Sequence, residues 1–137
     1  MTAKQYLRSI RRIDKRIDAL NENINRLWAQ ATATTQQISG EGGGRNSEVT
    51  RKPEVYAERV ADLTEQRDHL IRQKAEAMDL INRIEQHNYA ALLLQYYLLG
   101  RTWEETADAI GYSYLHTVHR LHPAALAAMQ DVIDCNN

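Results

Sequence analysis

Residues 102–122 read TWEETADAIGYSYLHTVHRLH, and the order of capping, turn and apolar residues in this stretch decides the fold around it. Thr102 and Glu105 have the spacing of a capping box, in which hydroxyl and carboxylate each satisfy the other residue's free amide. The helix they open, Trp103 to Ile110, carries Trp103, Thr106, Ala107 and Ile110 on one face. Ala107 is small enough for a second helix to cross closely. Gly111 suits a tight left-handed turn, and Ser113 can cap the helix that follows. That helix is expected to bury Val118, Leu121, Ala125 and Leu126. Its other face then offers Tyr114, His116, Thr117, His119, Arg120 and His122. A short helix, a glycine turn and a second helix with a polar outer face make a helix-turn-helix.

Upstream, Tyr89 to Leu99 is apolar nearly all round and must be covered on most sides. Asn88 is the expected N-cap of this helix, and Gly100 its left-handed stop. Downstream, Pro123 lacks an amide donor and crowds the carbonyl of His119, so a kink or a fresh helix start is expected there. On that reading the second helix of the motif runs from Tyr114 to about His122.

The N-terminal part has a different periodicity. Tyr6, Ile10, Ile13, Ile17, Leu20, Ile24, Leu27 and Ala31 alternate steps of four and three, a heptad seam. A helix from about Thr2 to Ser39 would be roughly 55 Å long at 1.5 Å per residue, and needs a partner helix to cover its seam. Residues 40–52, with Gly42, Gly43 and Gly44, read as a linker, and Pro53 suits the first turn of a second helix. There the seam recurs at Tyr56, Val60, Leu63, Arg67, Leu70, Lys74, Ala77, Ile81 and Ile84, with Ile71 and Met78 widening the stripe past its two cations. Arg67 and Lys74 either snorkel from the seam edge or specify register. The expected fold is all-α: a long antiparallel coiled-coil helical hairpin over residues 1–86, then a helix-turn-helix domain over residues 87–137. The heptads are equally compatible with pairing between chains, and a homodimer is expected through them.

The formal net charge of −1 conceals an uneven distribution. Residues 1–39 hold seven Lys and Arg against three acids, residues 53–85 five against eight, and residues 89–137 two against five. A basic first helix thus faces an acidic second helix and an acidic C-terminal module. With 43% hydrophobic residues, 26% charged and two prolines, the composition is that of a helical globular protein. No membrane span, secretory signal or disulfide framework is visible, and a lone Cys135 fits a reducing cytoplasm. No phosphate loop, nucleophile elbow or zincin motif is present, so neither an enzyme nor a cofactor is expected. His116, His119 and His122 recur every three residues but have no acid or cysteine at matching spacing, so no metal is expected.

Leu92–Gly100, Thr102–Ser113, Val118–His122 and Ala125-Leu126 together resemble region four of primary sigma factors. They are more similar still to small phage and prophage regulators of the ArpU and RinA type, a likeness that extends to the opening Thr2-Ala-Lys-Gln-Tyr-Leu7 and the heptad arm. The resemblance implies a sigma-like activator in the cytoplasm of a bacterial host, acting at double-stranded promoter DNA together with RNA polymerase. It implies DNA contacts from Ser113, Tyr114, His116, Thr117, His119, Arg120 and His122. Arg8, Arg11, Arg12, Lys15 and Arg16 are auxiliary candidates, because the acidic module lacks the charge that phosphate binding needs. Four residues separate Ser113 from Val118 where the family pattern has three, which turns the reading face by 100°. Two other readings stay open: a small terminase subunit that recognises a packaging site, and a coiled-coil adaptor whose helix-turn-helix docks protein.

Overall fold

The computed structural model describes the backbone of residues 1–40 and 46–136, and the side chains of residues 1–32 and 54–136. It is all-helical, with no strand among the described residues. Helix α1 covers Ala3–Gly40 and α2 Asn46–Ile81. Short elements follow: α3 (His87–Leu93), α4 (Trp103–Ile110), α5 (Tyr114–His116) and α6 (His122–Asn136). A π-helical turn, Leu94–Leu98, continues α3, and a second, Thr117–Leu121, joins α5 to α6. Among the described residues no helix is long and apolar enough to cross a membrane.

Helix α2 opens at Asn46, so residues 46–52, expected in the linker, are helical, and Pro53 lies inside α2 instead of in its first turn. The reason is local: nothing between Asn46 and Lys52 breaks a helix. The Gly42–Gly44 run lies outside the described residues.

The chain forms two compact units, one of Arg16–Leu70 and one of Met1–Lys15 with Ile71–Asn137. In the first, the seam positions Ile24, Ala31, Val60 and Leu70 are buried, while Ile17, Leu20, Leu27, Tyr56 and Leu63 are only partly covered. Arg67, at a seam position, donates to Asn21 Oδ1 at 3.0 Å and lies 3.3 Å from its neighbour Asp68. The cation is therefore held by a polar group on the facing helix while its stem stays in the seam.

The second unit gathers residues 1–15 with the short helices α3 to α6, whereas the sequence reading divides at residue 86. Leu7, Ile81, Leu92, Leu93, Tyr97 and Met129 are fully buried in it. Polar ties fix the ends: Ala3 N–H donates to Gln130 Oε1 at 2.7 Å, and Arg83 Nη1 to Asn136 Oδ1 at 2.8 Å. Lys74 pairs with Asp14, so this seam cation too has a partner on the other long helix. Ile71 and Met78, expected to widen the covered stripe, are each 45% exposed.

Helix α3 begins earlier than expected. Gln86 is the N-cap, with no side-chain bond, and Asn88 donates to Tyr112 Oη at 2.8 Å instead. The helix loosens into its π turn when Leu99 N–H bonds the carbonyl of Leu94 at 2.9 Å. Gly100 then takes φ +70°, the left-handed stop expected from sequence. Leu99, just before it, is 58% exposed.

Candidate nucleic-acid interface

The turn between α4 and α5 has the anticipated local chemistry. Thr102 Oγ1 accepts from the Glu105 amide at 3.1 Å, and Glu105 Oε1 accepts from the Thr102 amide at 3.0 Å. The bond from the Thr102 amide, and then the Thr102 hydroxyl, hold the Glu105 carboxyl below its usual range, since the ionised form is the better acceptor. Gly111 takes φ +81°, and its amide and that of Tyr112 both donate to the Ala107 carbonyl. Ser113 caps α5 through the His116 amide at 3.2 Å. Thr106 and Ala107 are buried beneath the crossing helix, with Trp103 and Ile110 partly covered beside them.

The crossing helix differs from expectation in phase. Its buried positions are Thr117, Leu121, Ala125 and Met129, at steps of four, while Val118 and Leu126 are only partly covered. Thr117, expected on the outer face, is fully buried, and its hydroxyl donates to the Ser113 carbonyl at 2.8 Å. The physical reason is the π turn: the His122 amide bonds the Thr117 carbonyl, and this wide turn takes up an additional residue. The same turn precedes Pro123, the second residue of α6, and its wide ladder accommodates a residue that would break a regular α-helix. A fresh α-helical start therefore stands at His122, as expected beside Pro123, but it follows the π turn directly and the chain stays helical to Asn136.

Ser113, Tyr114, His116, His119 and Arg120 are exposed, as anticipated. His116 stacks on Tyr112 with ring centroids 5.2 Å apart. Leu115 joins this surface at 65% exposure; sequence reasoning passed over it, although it is an apolar residue out of phase with the buried stripe.

His122 turns inward, against the expectation that it faces a ligand beside His119. Its Nε2 shares a 2.7 Å hydrogen bond with Tyr97 Oη, and its ring stands edge-on to Trp103 at 4.5 Å. Burial, then the nearby cations Lys4 and Arg8, push the imidazole down to about 4, so it is neutral at pH 7. Burial pushes the Tyr97 phenol up to about 12, with Tyr96 adding to the effect and Arg8 and Arg11 opposing it. No cluster of three metal-ligating side chains exists among the described residues.

His122 and Val118 form one wall of a cleft of about 480 Å³. Tyr96, Tyr97 and Trp103 also line it, and α1 contributes Lys4, Arg8, Arg11, Arg12 and Lys15. These five recur at helical spacing along one stripe of α1, and no acid lines the cleft. Four of the five auxiliary candidates are thus brought together; Arg16 is not among the lining residues, and Lys4, one turn before Arg8, was missed. Arg11 is the exception in kind. Its guanidinium donates to the Tyr96 carbonyl and, at 3.0 Å, to that of Arg101. Lys4, Arg8, Arg12 and Lys15 form no ion pair among the described residues.

No family model matches the chain, and neither a curated protein nor a solved structure matches it.

Proposed function

We propose that the chain is a sigma-like regulator of phage type, in which the helix-turn-helix reads double-stranded promoter DNA and cations of α1 supply phosphate contacts. One observation carries the reading: a stripe of cations on α1 shares a concave surface with Val118 and His122 of the second helix of the motif. An acidic recognition module alone would repel DNA, and affinity for duplex grows with the number of phosphates neutralised. Ser113, Tyr114, Leu115, His116, His119 and Arg120 form the base-reading surface, with Arg120 as its single full positive charge. Leu115 suits an apolar contact such as a thymine methyl group. The two long helices pair as an antiparallel hairpin, a pairing supported in the Arg16–Leu70 unit by Arg67 meeting Asn21. Host RNA polymerase is the proposed partner, and the hairpin also serves a homodimer.

The test uses the full chain. Duplexes are selected from a random pool, then footprinted with and without RNA polymerase and titrated across salt. Binding should weaken with salt, and each of Arg12→Gln and Lys15→Gln should lower the log–log salt slope by about 1. Arg120→Ala should alter the footprint. Salt-insensitive or absent duplex binding, with and without polymerase, rejects the proposal.

A further inference from the structure

We propose that the cleft between α1 and the second helix of the motif is a binding site for a small, free oligophosphate. The proposal does not rest on the DNA-binding reading, because the ligand is a soluble anion measured without nucleic acid.

The first support is the gathering of cations on one wall. Arg16, Arg59, Arg72, Arg83 and Arg120 also lack a carboxylate within 4.0 Å among the described residues, but Lys4, Arg8, Arg12 and Lys15 lack one while lining a single cleft that no acid lines. Like charges gathered on a concave wall raise the local potential and concentrate anions there. Asp14, which follows Arg12 in α1, is directed to Lys74, and Glu105, near the start of α4, to the Thr102 amide. Nothing in the lining neutralises the stripe.

The second support is the shape and rigidity of the site. A volume of about 480 Å³ lies in the range of small-molecule sites, roughly 300–1,000 Å³. Its floor is held by the Tyr97–His122 bond, by Tyr96 stacked on Trp103 at 3.8 Å, and by Arg11 over the other face of Tyr96 at 4.0 Å. Both faces of Tyr96 are therefore occupied, and the ring offers no platform for a nucleobase. Recognition falls to the unpaired cations, so the ligand is selected by its number of phosphates. Two arginines and two lysines suit a chain of phosphates better than one tetrahedral anion.

The probe is sodium tripolyphosphate, added to the full chain at constant ionic strength and followed by calorimetry. Trp103 fluorescence gives a second readout in a Trp28→Phe background, which leaves a single tryptophan. Saturable binding is expected, with ATP within about fivefold of tripolyphosphate and orthophosphate or sulfate weaker by about 100-fold. Arg12→Gln and Lys15→Gln remove exposed side chains and should leave the helical circular dichroism unchanged. Each should weaken binding about tenfold, and Arg16→Gln should not. Three results would overturn the proposal: no saturable tripolyphosphate binding, equal binding by wild type and the two cleft variants, or ATP binding more than about tenfold tighter than tripolyphosphate. Duplex DNA that depends on Arg12 and Lys15 while tripolyphosphate fails to bind would assign these cations to backbone phosphate alone, and would leave the DNA-binding reading standing.

Discussion

Arg11 sits over the ring of Tyr96, its guanidinium carbon 4.0 Å from the centroid, while its nitrogens donate to the carbonyls of Tyr96 and Arg101. One side chain of α1 thus ties down the segment that carries Gly100 and leads into the capping box. Arg11→Ala should cost about 2 kcal/mol of unfolding free energy, combining lost charge-assisted bonds with a cation–π contact. Arg11→Lys should recover only part of it, because one ammonium cannot span two carbonyls and a ring. Urea denaturation of the three proteins checks the order.

His122 makes stability depend on pH. Its folded value of about 4 lies below the unfolded value near 6.5, so between them the unfolded chain takes up a proton that the folded chain resists. Stability is therefore full above about pH 6.5 and falls as the pH drops toward 4, with a slope approaching one proton. Glu105, also held low, adds its own loss only in the carboxylate range below that. Urea midpoints from pH 7.5 to 4.5 should decline for wild type and stay flatter for His122→Phe, which keeps a ring beside Trp103 but cannot titrate.

Thr106 is fully buried, and its hydroxyl has no hydrogen-bond partner among the described residues. Thr106→Val replaces that hydroxyl with a methyl group of similar size. The melting temperature should be unchanged or higher, since an unsatisfied buried hydroxyl costs about 1–3 kcal/mol. A drop of several degrees would show that the hydroxyl has a partner in solution.

Gly111, at φ +81°, has open space where a Cβ would project. Gly111→Ala should therefore cost only the backbone strain of the left-handed region, about 1–2 kcal/mol. Gly111→Asn should cost less, because asparagine tolerates that region. Thermal melts rank the three.

Asp14 and Lys74 pair across the two long helices, with side chains 28% and 26% exposed. Asp14→Asn leaves a half-buried ammonium facing a neutral amide and should cost about 2 kcal/mol. The double variant Asp14→Leu with Lys74→Met should recover most of that loss, as apolar replacement of a shielded pair usually does.

Much of the candidate site was legible because it is written in local chemistry. The capping box at Thr102 and Glu105, the glycines at 100 and 111 and the cap at Ser113 depend on residues within one turn of each other. The outward position of Tyr114, His116, His119 and Arg120 could likewise be read. Thr117 and His122 were misread because a single π turn changes the phase of a helix by about one residue, and a 3.6-residue pattern carries no mark for where it falls. Pro123 gave a partial signal: the wide turn stands just before it.

The sequence by itself determined that the chain is helical, where α1 and α4 begin and turn inward, and that the basic charge lies in residues 4–16. Each follows from spacings of three and four along one chain. Only the tertiary structure decided what that charge faces. A helix face rich in cations is indifferent to its partner until packing chooses one. Here the burial of Leu7 and Ile81 and the clamp of Arg11 on Tyr96 set Lys4, Arg8, Arg12 and Lys15 against Val118 and His122, more than a hundred residues away in sequence.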